Sequence, residues 1–531
     1  MPPTDYLIIG AGSAGCVLAN RLTADGTTTV LLLEAGGRDG HRNISTPAGF
    51  PKLFKTDHDY GYHTVPQPTM HDRKMYLPRG KVLGGSSSTN AMIYIRGNRQ
   101  DYDEWSAAGN RGWSYEEVLT YFKRAENQAV IKDPAYHGTE GPLHVSSRSY
   151  TNKLSDVFVA AGEELGYERN DDFNGERQEG FGRYQVTHYK GERWSAARAY
   201  LNPVLQRSNL RVETGAVVER IIVEAGRAVG VVYHQNGRSQ EARVSREVLL
   251  CAGAYNSPHL LQLSGIGDGE ELKRHGIPMV KHLPGVGRNL QDHLVYFNMF
   301  HTDYAHTLDA AERFPAILKN LYQYFVHKTG PFSSNLGETG AFVRSSPDQP
   351  AVDTQYHFAP NYFVNHGFDN PPKGNGYSIG GKVLNPTSTG TVRLASADFR
   401  TPPAIDHNYL STDDDVRRSI WGFKLGFRLG RTEAFRPYRV APYLPAAPLE
   451  DDAAIEDFIR ATGQTLYHPA GTCRMGNDDG AVVDDRLRVH GLAGLRVVDA
   501  SVMPNVTRGN TNAPTIMIAE RVSDWIRNNT H

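Results

Sequence analysis

The chain has 531 residues, with 57 Lys and Arg side chains against 58 Asp and Glu. This length is too great for one compact core, so we expect two or three domains. The balanced charge and the lack of a basic block argue against nucleic acid or an anionic membrane as the main partner. The substrate should therefore be a small molecule.

The sequence carries no sign of export or of membrane insertion. Its first apolar strand begins within about five residues, which leaves no room for a secretory signal. No apolar run approaches the length of a membrane span. The three cysteines, Cys16, Cys251 and Cys473, lack the spacing of metal ligands. We expect buried thiols, no metal site and a cytoplasmic enzyme.

The first 34 residues have the pattern of a dinucleotide-binding unit. An apolar run at 6–9 leads into the glycine-rich residues 10–15, a helical stretch to Leu22, and a second apolar run that ends in Glu34. Gly10 permits the tight turn, Gly12 lets the backbone approach a pyrophosphate, and the third glycine of the turn lets helix and strand pack closely. The sequence therefore predicts strand, turn, helix and strand.

The charge of this unit selects among dinucleotides. The N-terminus of the predicted helix offers free N–H groups to phosphates. Glu34 can accept hydrogen bonds from the ribose hydroxyls, and it would repel a 2′-phosphate. FAD or NAD therefore fits better than NADP.

Three later segments also contain turns of the kind that can contact a cofactor. Residues 84–90 combine two glycines with three serines, residues 248–254 end a strand in a glycine turn, and residues 495–515 read as strand, acidic turn and helix. Each can contact the same cofactor again. Between them, residues 210–252 predict short strands with a hairpin at Asn236-Gly237.

The segment between about residues 300 and 460 is rich in aromatic residues and histidine, and we expect most of a second domain there. Within it, the large apolar side chains of residues 314–326 fall on one helical face. The sequence favours a core or subunit-interface helix over a membrane-surface helix.

Taken together, these motifs resemble the glucose-methanol-choline (GMC) oxidoreductases, a family of FAD enzymes, over essentially the whole chain. The resemblance rests on the opening unit and on residues 84–87 with Asn90, 198–201, 253–258, 264–267, 289–293, 467–476 and 510–514.

The resemblance implies an α/β fold, α+β overall, with a discontinuous Rossmann-like FAD-binding domain. That domain would comprise residues 1–155, 195–300 and 462–531. An inserted substrate-binding domain with an antiparallel sheet and helices would comprise residues 156–194 and 301–461.

The resemblance also implies an FAD site. Threonine stands at position 89, where members with covalent FAD carry histidine, so the FAD should be non-covalent. The implied cofactor-binding residues are Gly10, Gly12, Ser13, Ala14, Gly15, Glu34, Ala35, Gly84, Gly85, Ser86, Asn90, Ala91, Val218, Ala252, Asp499, Ala500, Asn512, Pro514 and Thr515.

Two residues match the catalytic positions of the family. His468 would remove the hydroxyl proton of an alcohol while the α-carbon delivers hydride to flavin N5, and imidazole suits that proton near neutral pH. Asn512 would be its partner and orient the substrate oxygen. The implied reaction is oxidation of an alcohol, with a primary alcohol expected, to the aldehyde, and oxygen or another acceptor would take the electrons.

Several alternatives stay open at this stage. A hydroxynitrile lyase of the same fold would use the same base, and a flavoprotein with a structural or light-driven role is a third reading. Tyr467 and Glu338 match substrate-pocket positions of relatives, and Glu338 raises choline as a substrate. His293 is expected to pack or hydrogen-bond near the cofactor. His301, His357 and His366 stay open as residues that face the substrate, although a structural role is the expectation for each. An oligomer also stays open.

Overall fold

The computed structural model describes residues 4–369 and 374–528. Within these ranges the α-helices are α1 (Ser13–Leu22), α2 (Arg42–Ser45), α3 (Arg99–Ala107), α4 (Tyr115–Ala125), α5 (Lys153–Glu164), α6 (Gly253–Leu263), α7 (Gly269–Arg274), α8 (Leu308–Ala311), α9 (Ala316–His327), α10 (Asp413–Leu429), α11 (Asp452–Thr462) and α12 (Asn512–Arg527).

The strands of the same ranges are β1 (Thr4–Ile9), β2 (Val30–Glu34), β3 (Tyr62–His63), β4 (Tyr76–Leu77), β5 (Glu126–Gln128), β6 (Leu143–Val145), β7 (Gly180–Arg183), β8 (His188–Tyr189), β9 (Glu192–Arg193), β10 (Leu210–Thr214), β11 (Val217–Glu224), β12 (Arg227–Gln235), β13 (Arg238–Leu250), β14 (Ile266–Gly267), β15 (Lys281–His282), β16 (Leu294–Thr302), β17 (Thr339–Val343), β18 (Thr354–Ala359), β19 (Asn375–Val383), β20 (Thr391–Arg393), β21 (Ala404–Asp406), β22 (Ala441–Leu444), β23 (Gln464–Thr465) and β24 (Leu495–Val497).

The first large sheet is parallel in the order β10-β2-β1-β13, and β24 also runs parallel to β13. β11 and β12 continue from β13 as an antiparallel ribbon. All of β2 is buried, as expected for a strand covered on both faces. The predicted opening of strand, turn, helix and strand is confirmed, and so is the hairpin at Asn236-Gly237.

Helices from the two ends of the chain pack together beside this sheet. α1 lies against α12. An ion pair joins partly exposed Arg21 to buried Glu520 at 2.7 Å, and the Ser13 hydroxyl donates to Asn512 Oδ1 at 2.7 Å. The N-termini of both helices are thereby held next to each other.

The second large sheet is antiparallel in the order β22-β16-β19-β18-β17-β7, and β23 also pairs with β16. α5 and α10 pack on one face through aromatic and aliphatic side chains that include Phe300, Tyr356 and Phe358. Because side chains alternate along a strand, their neighbours Phe297, His357 and Ala359 project from the opposite face.

The strand pairing differs from three of the predicted domain boundaries, including the one at residue 462, because Gln464–Thr465 pair with β16. The boundary at residue 300 falls inside β16, whose partners all belong to the second sheet. The boundary at 155–156 falls inside α5, which packs on that sheet. Neither composition nor motif resemblance reports the pairing of individual strands, which explains the three differences. We propose that the substrate-binding unit begins before Lys153 and before Leu294 and includes Gln464–Thr465.

Helix α9 is not the core element that its apolar face suggested. Its buried residues are Asn320 and Tyr324, whereas its large apolar side chains are mostly exposed. The prediction of a core helix is therefore wrong, because polar side chains anchor the helix. A subunit interface stays a prediction.

Within residues 4–369 and 374–528, no helix has the length and apolar composition that a membrane span needs. No group of His, Cys, Asp and Glu side chains in those ranges could hold a metal ion. Cys16, Cys251 and Cys473 are buried free thiols, and burial raises the pKa of each. The cytoplasmic location stays a prediction.

The packing of α1 on β1 is tested by Gly15→Ala. The added methyl group would lie 2.0 Å from the carbonyl oxygen of Gly10, so the helix would have to move. We expect the free energy of unfolding to fall by about 3 kcal/mol, as for an overpacked core. Gly37→Ala is the control, because no atom lies within 4 Å of its added methyl group. Superimposable urea unfolding curves for Gly15→Ala and the wild type would contradict this packing.

Candidate active site

A cavity of about 740 Å³ lies between the two large sheets. The first sheet lines it with the turns that follow β1, β2 and β13, and the second sheet lines it with Phe297, His357 and Ala359. The cavity is therefore bounded by elements from most of the chain.

Backbone segments meet closely at one end of this cavity. A Cβ atom at Gly10 would lie 2.6 Å from the carbonyl oxygen of Cys251, and one at Gly85 would lie 2.8 Å from Cα of Gly12. The φ angles of Gly10 and Gly85 are 97° and 52°, which favours glycine at both positions. These segments form a narrow cradle in which main-chain N–H groups can approach a ligand.

Three helices begin in the cavity wall without a side-chain cap. The N-cap residues are Gly12 for α1, Ala252 for α6 and Thr511 for α12, and none accepts a capping hydrogen bond. By contrast, the side chains of Asn98 and Asn152 cap α3 and α5. At α6 the carboxylate of Asp499 accepts the first N–H, that of Gly253. The uncapped N–H groups of α1 and α12 and the positive ends of their dipoles are therefore the ones that favour a negatively charged ligand.

Two buried carboxylates stand at the ends of strands in the same wall. Glu34 accepts hydrogen bonds from the N–H groups of Ala11 and Gly36, each at 2.8 Å. Asp499 accepts from the N–H of Gly253 at 2.9 Å. A carboxylate can accept about four hydrogen bonds, so Glu34 retains capacity for ligand hydroxyl groups.

The backbone next to His468 is held in an uncommon conformation. Tyr467 has a φ angle of 72°, a region that non-glycine residues rarely occupy. Its N–H donates to Thr465 at 2.9 Å, and its carbonyl accepts from Arg79 at 2.6 Å. The N–H of His468 donates to Asp292 at 2.7 Å. These bonds fix the direction in which the imidazole projects.

A chain of hydrogen bonds determines which nitrogen of His468 carries its proton. Nε2 of His293 lies 2.8 Å from the carbonyl oxygen of Leu384, and a carbonyl can only accept, so this nitrogen is protonated. Burial holds the pKa of His293 well below its ordinary value, so the ring is neutral and its Nδ1 is an acceptor. Nδ1 of His468, 2.9 Å away, must donate to it. Nε2 of His468 is left with a lone pair.

That lone pair lies beside Asn510. The amide nitrogen Nδ2 of Asn510 is 3.1 Å from Nε2 of His468, and both residues line the cavity. The amide oxygen of Asn510 is buried and has no partner among the described residues. Because an amide nitrogen can only donate, it donates to this lone pair until a ligand hydroxyl takes its place, and one ligand oxygen could then contact the imidazole and the amide together.

The surroundings of His468 oppose positive charge. Lys382 is fully buried, and its Nζ lies 3.4 Å from Nδ1 of His468. Burial holds the pKa of Lys382 and of His468 well below their ordinary values, and nearby cationic groups act in the same direction on His468. At neutral pH His468 is an uncharged base.

Comparisons with known proteins identify the family. Two models of the GMC oxidoreductase family match residues 4–295 and 386–519, which together exceed half of the chain. This chain belongs to the GMC oxidoreductase family. It is therefore an FAD-dependent alcohol oxidoreductase.

The relatives that this protein resembles match it over almost its entire length. An alcohol dehydrogenase [acceptor] of Pseudomonas putida is 44% identical over 98% of this chain and 95% of its own. The mitochondrial choline dehydrogenase of Mus musculus is 43% identical over 98% of this chain and 89% of its own. The crystal structure of pyridoxine 4-oxidase from Mesorbium loti superposes with a TM-score of 0.91 at 32% identity, over 99% and 100% of the two chains.

The cavity of this GMC protein fits FAD in its chemistry. The uncapped helix starts suit a pyrophosphate, and Glu34 suits ribose hydroxyls. The predicted cofactor residues that line the cavity are Gly10, Gly12, Ser13, Ala14, Glu34, Ala35, Gly85, Ser86, Asn90, Ala91, Val218, Ala252, Asp499, Ala500, Asn512 and Thr515.

Three predicted cofactor residues lie outside the lining. Gly15 instead packs closely against the backbone of Gly10. Gly84 donates its N–H to the carbonyl of Ala11 at 2.7 Å. Pro514 lies in the first turn of α12, and no atom of it is part of the cavity wall. Each of these residues supports the cradle without facing its interior.

Two predicted catalytic and substrate residues require correction. Asn512 accepts from Ser13, whereas Asn510 is the amide beside His468. Glu338 is fully buried outside the lining, and its carboxylate accepts from the N–H of Asn152 at 2.7 Å and from the Ser155 hydroxyl at 2.5 Å. Tyr467, by contrast, does line the cavity.

The remaining histidines fall into two groups. His293 and His357 lie at the site, whereas His301 bonds to Tyr362 and His366 bonds to Tyr467, both outside the lining. Lys382 had no sequence signal, because only the pairing of β19 with β16 brings it to the site.

The direction of the hydrogen-bond chain is tested by His293→Phe. Without the acceptor for Nδ1–H, His468 can adopt the other tautomer, so we expect anaerobic flavin reduction to slow roughly a hundredfold to a thousandfold. Little further loss is expected in the double variant with His468→Ala, because the two side chains act as one unit.

His301→Phe is the control, since His301 lies at the far end of β16 and bonds to Tyr362 instead of to His468. Flavin reduction at the wild-type rate in His293→Phe would contradict the positioning role of His293. So would losses for His293→Phe and His468→Ala that combine independently in the double variant.

Proposed function

We propose that this GMC oxidoreductase oxidises a neutral primary alcohol to the aldehyde, with His468 as the base. The observation that carries the proposal is the hydrogen-bond chain from Leu384 through His293, which leaves Nε2 of His468 as an acceptor beside Asn510 in a buried cavity. FAD bound in this cavity would accept the hydride that leaves the alcohol carbon. We propose that the lining residues named above hold it.

In this proposal His468 and Asn510 share the substrate oxygen. Nε2 of His468 accepts the hydroxyl proton, while the amide of Asn510 donates a hydrogen bond to the oxygen and orients it. Because the two nitrogens are 3.1 Å apart, one oxygen can lie within reach of both. The amide cannot compete for the proton at neutral pH.

His293 and Lys382 then act on the protonated ring. Once Nε2 is protonated, Nδ1–H of His468 still donates to His293, which stabilises the new charge through a stronger hydrogen bond. Lys382 and the lack of bulk water oppose that charge. The stabilisation by His293 lets Nε2 take up the proton during the reaction, and the opposing effects let the ring release it afterwards.

The cavity favours a neutral alcohol over choline. The acidic residues among those that line it are Glu34 and Asp499, which stand at the cradle end. Glu338, the carboxylate that could pair with a cation, is committed to Asn152 and Ser155. Aromatic and aliphatic side chains also line the cavity, including Phe297, Phe363, Leu336 and Leu466. The proposed substrate agrees with the name of the Pseudomonas putida relative, an alcohol dehydrogenase, and differs from that of the mouse relative, a choline dehydrogenase.

Three further statements stay predictions. Thr89 lines the cavity, and a threonine hydroxyl does not form the ring-nitrogen bond of covalent members, so FAD should be released by acid precipitation. The division into two domains and the cytoplasmic location are the other two. Reoxidation of the flavin in air after anaerobic reduction would show whether oxygen is the electron acceptor.

The role of His468 is tested by stopped-flow reduction of the flavin under anaerobic conditions with neutral primary alcohols and choline. We expect bleaching by the neutral alcohols, and we expect His468→Ala to slow it roughly a hundredfold to ten-thousandfold. His407→Ala is the control, because His407 is a buried histidine that bonds to Tyr255.

Equal rates of flavin reduction in His468→Ala and the wild type would contradict the assignment of His468 as the base. Release of aldehyde and cyanide from a cyanohydrin, with no alcohol able to bleach the flavin, would instead identify a lyase.

The pH dependence of flavin reduction gives a separate test. His468 is active when unprotonated, and burial lowers its pKa below the ordinary histidine value of about 6.5. We expect the reduction rate constant to be flat around neutral pH and to fall only in more acidic solution. A rate constant that declines through the ordinary histidine range, as pH is lowered from neutral, would contradict a depressed pKa.

A further inference from the structure

Helix α9 presents large apolar side chains to solvent. Leu318, Tyr322, Phe325 and Val326 are 59%, 61%, 53% and 56% exposed, and Phe314 just before the helix is 81% exposed. Single exposed apolar side chains are ordinary, but a contiguous group of this size marks an interaction surface. We call these five residues the apolar face of α9.

The protein holds α9 by its other side. Asn320 donates to the carbonyl of Ala311 at 2.9 Å, and the Tyr324 hydroxyl lies 3.5 Å from the carbonyl of Ser45. An ordinary surface helix buries its apolar stripe and exposes its polar one. α9 does the reverse, so its apolar face is free to contact something outside this chain.

The charges around this face have an excess of cations. Between residues 312 and 331 the charged side chains are Glu312, Arg313, Lys319 and Lys328. Glu312 is paired with Lys52 at 3.2 Å, and Lys328 is paired with Glu192 at 3.0 Å. Arg313 and Lys319 therefore carry the net positive charge of this segment. The chain as a whole is nearly neutral, so this is a local concentration of positive charge.

We propose that the apolar face of α9 docks this protein on a membrane surface that contains anionic lipids. An interfacial helix inserts its apolar side chains at the headgroup boundary while lysine and arginine contact lipid phosphates. A second copy fits less well, because a two-fold contact would bring the same cations opposite each other. The overall charge argues against a membrane as main partner, but docking depends on this local face.

The position of α9 links the membrane surface to the cavity. α9 contacts the turn at Pro331–Ser333, and this turn contacts the segment Pro47–Leu53. Phe50 of that segment lines the cavity. A docked molecule would therefore hold this wall of the cavity close to the lipid. The docking itself does not rest on the proposed reaction.

Co-sedimentation of the FAD-loaded protein with lipid vesicles tests the proposal. We expect binding to vesicles of phosphatidylcholine with phosphatidylglycerol, weaker binding to phosphatidylcholine alone, and loss of the difference at high salt. The double variant Leu318→Ser/Phe325→Ser should reduce partitioning roughly a hundredfold, about tenfold per buried apolar side chain. Its flavin reduction by a water-soluble alcohol should equal that of the wild type.

The matched control is Met279→Ser/Val280→Ser, which removes two apolar side chains of similar exposure, 60% and 46%, far from α9 in sequence. It should bind vesicles as the wild type does. The proposal is overturned if neither vesicle type binds the wild type, or if both double variants bind equally. It is also overturned if light scattering shows a dimer that Leu318→Ser/Phe325→Ser dissociates while vesicle binding is unchanged.

Discussion

The hydrogen bond from His293 to the carbonyl oxygen of Leu384 constrains the whole candidate site. A main-chain carbonyl cannot donate, so the direction of this bond is fixed, and burial keeps the His293 ring neutral. The bond from His468 to His293 must then run in one direction. The side of His468 next to Asn510 is consequently the side that can accept a proton. The same low dielectric that strengthens these bonds also keeps His468 uncharged.

The register of the second sheet assembles this chain of bonds. β16 pairs Val295 with Lys382 on β19 and Leu294 with Thr465 on β23. His293 precedes β16, while Leu384 and His468 follow the other two strands, so all three lie at one end of the sheet. A register shift in either pairing would separate them. The first sheet contributes the other wall of the cavity, where uncapped helix starts offer main-chain donors.

The sequence predicts best what depends on neighbouring residues. The strand, glycine turn and helix of residues 4–34 follow from apolar periodicity and local turn chemistry, and the structure has them. Asn510 precedes α12 and Asn512 is its first residue, so the choice between them depends on how that helix begins. Glu338 bonds to residues more than 180 positions away, and Lys382 reaches the site through strand pairing. The apolar stripe of α9 has the same spacing whether it is buried or exposed, so periodicity alone cannot separate the two cases.

The most direct test is a neutron diffraction structure of the FAD-loaded protein after hydrogen–deuterium exchange, because it locates the protons on both imidazoles. The proposed mechanism requires deuterium on Nε2 of His293 and on Nδ1 of His468, with no deuterium on Nε2 of His468. Deuterium on Nε2 of His468 in the oxidised enzyme at neutral pH, with Nδ1 bare, would contradict it.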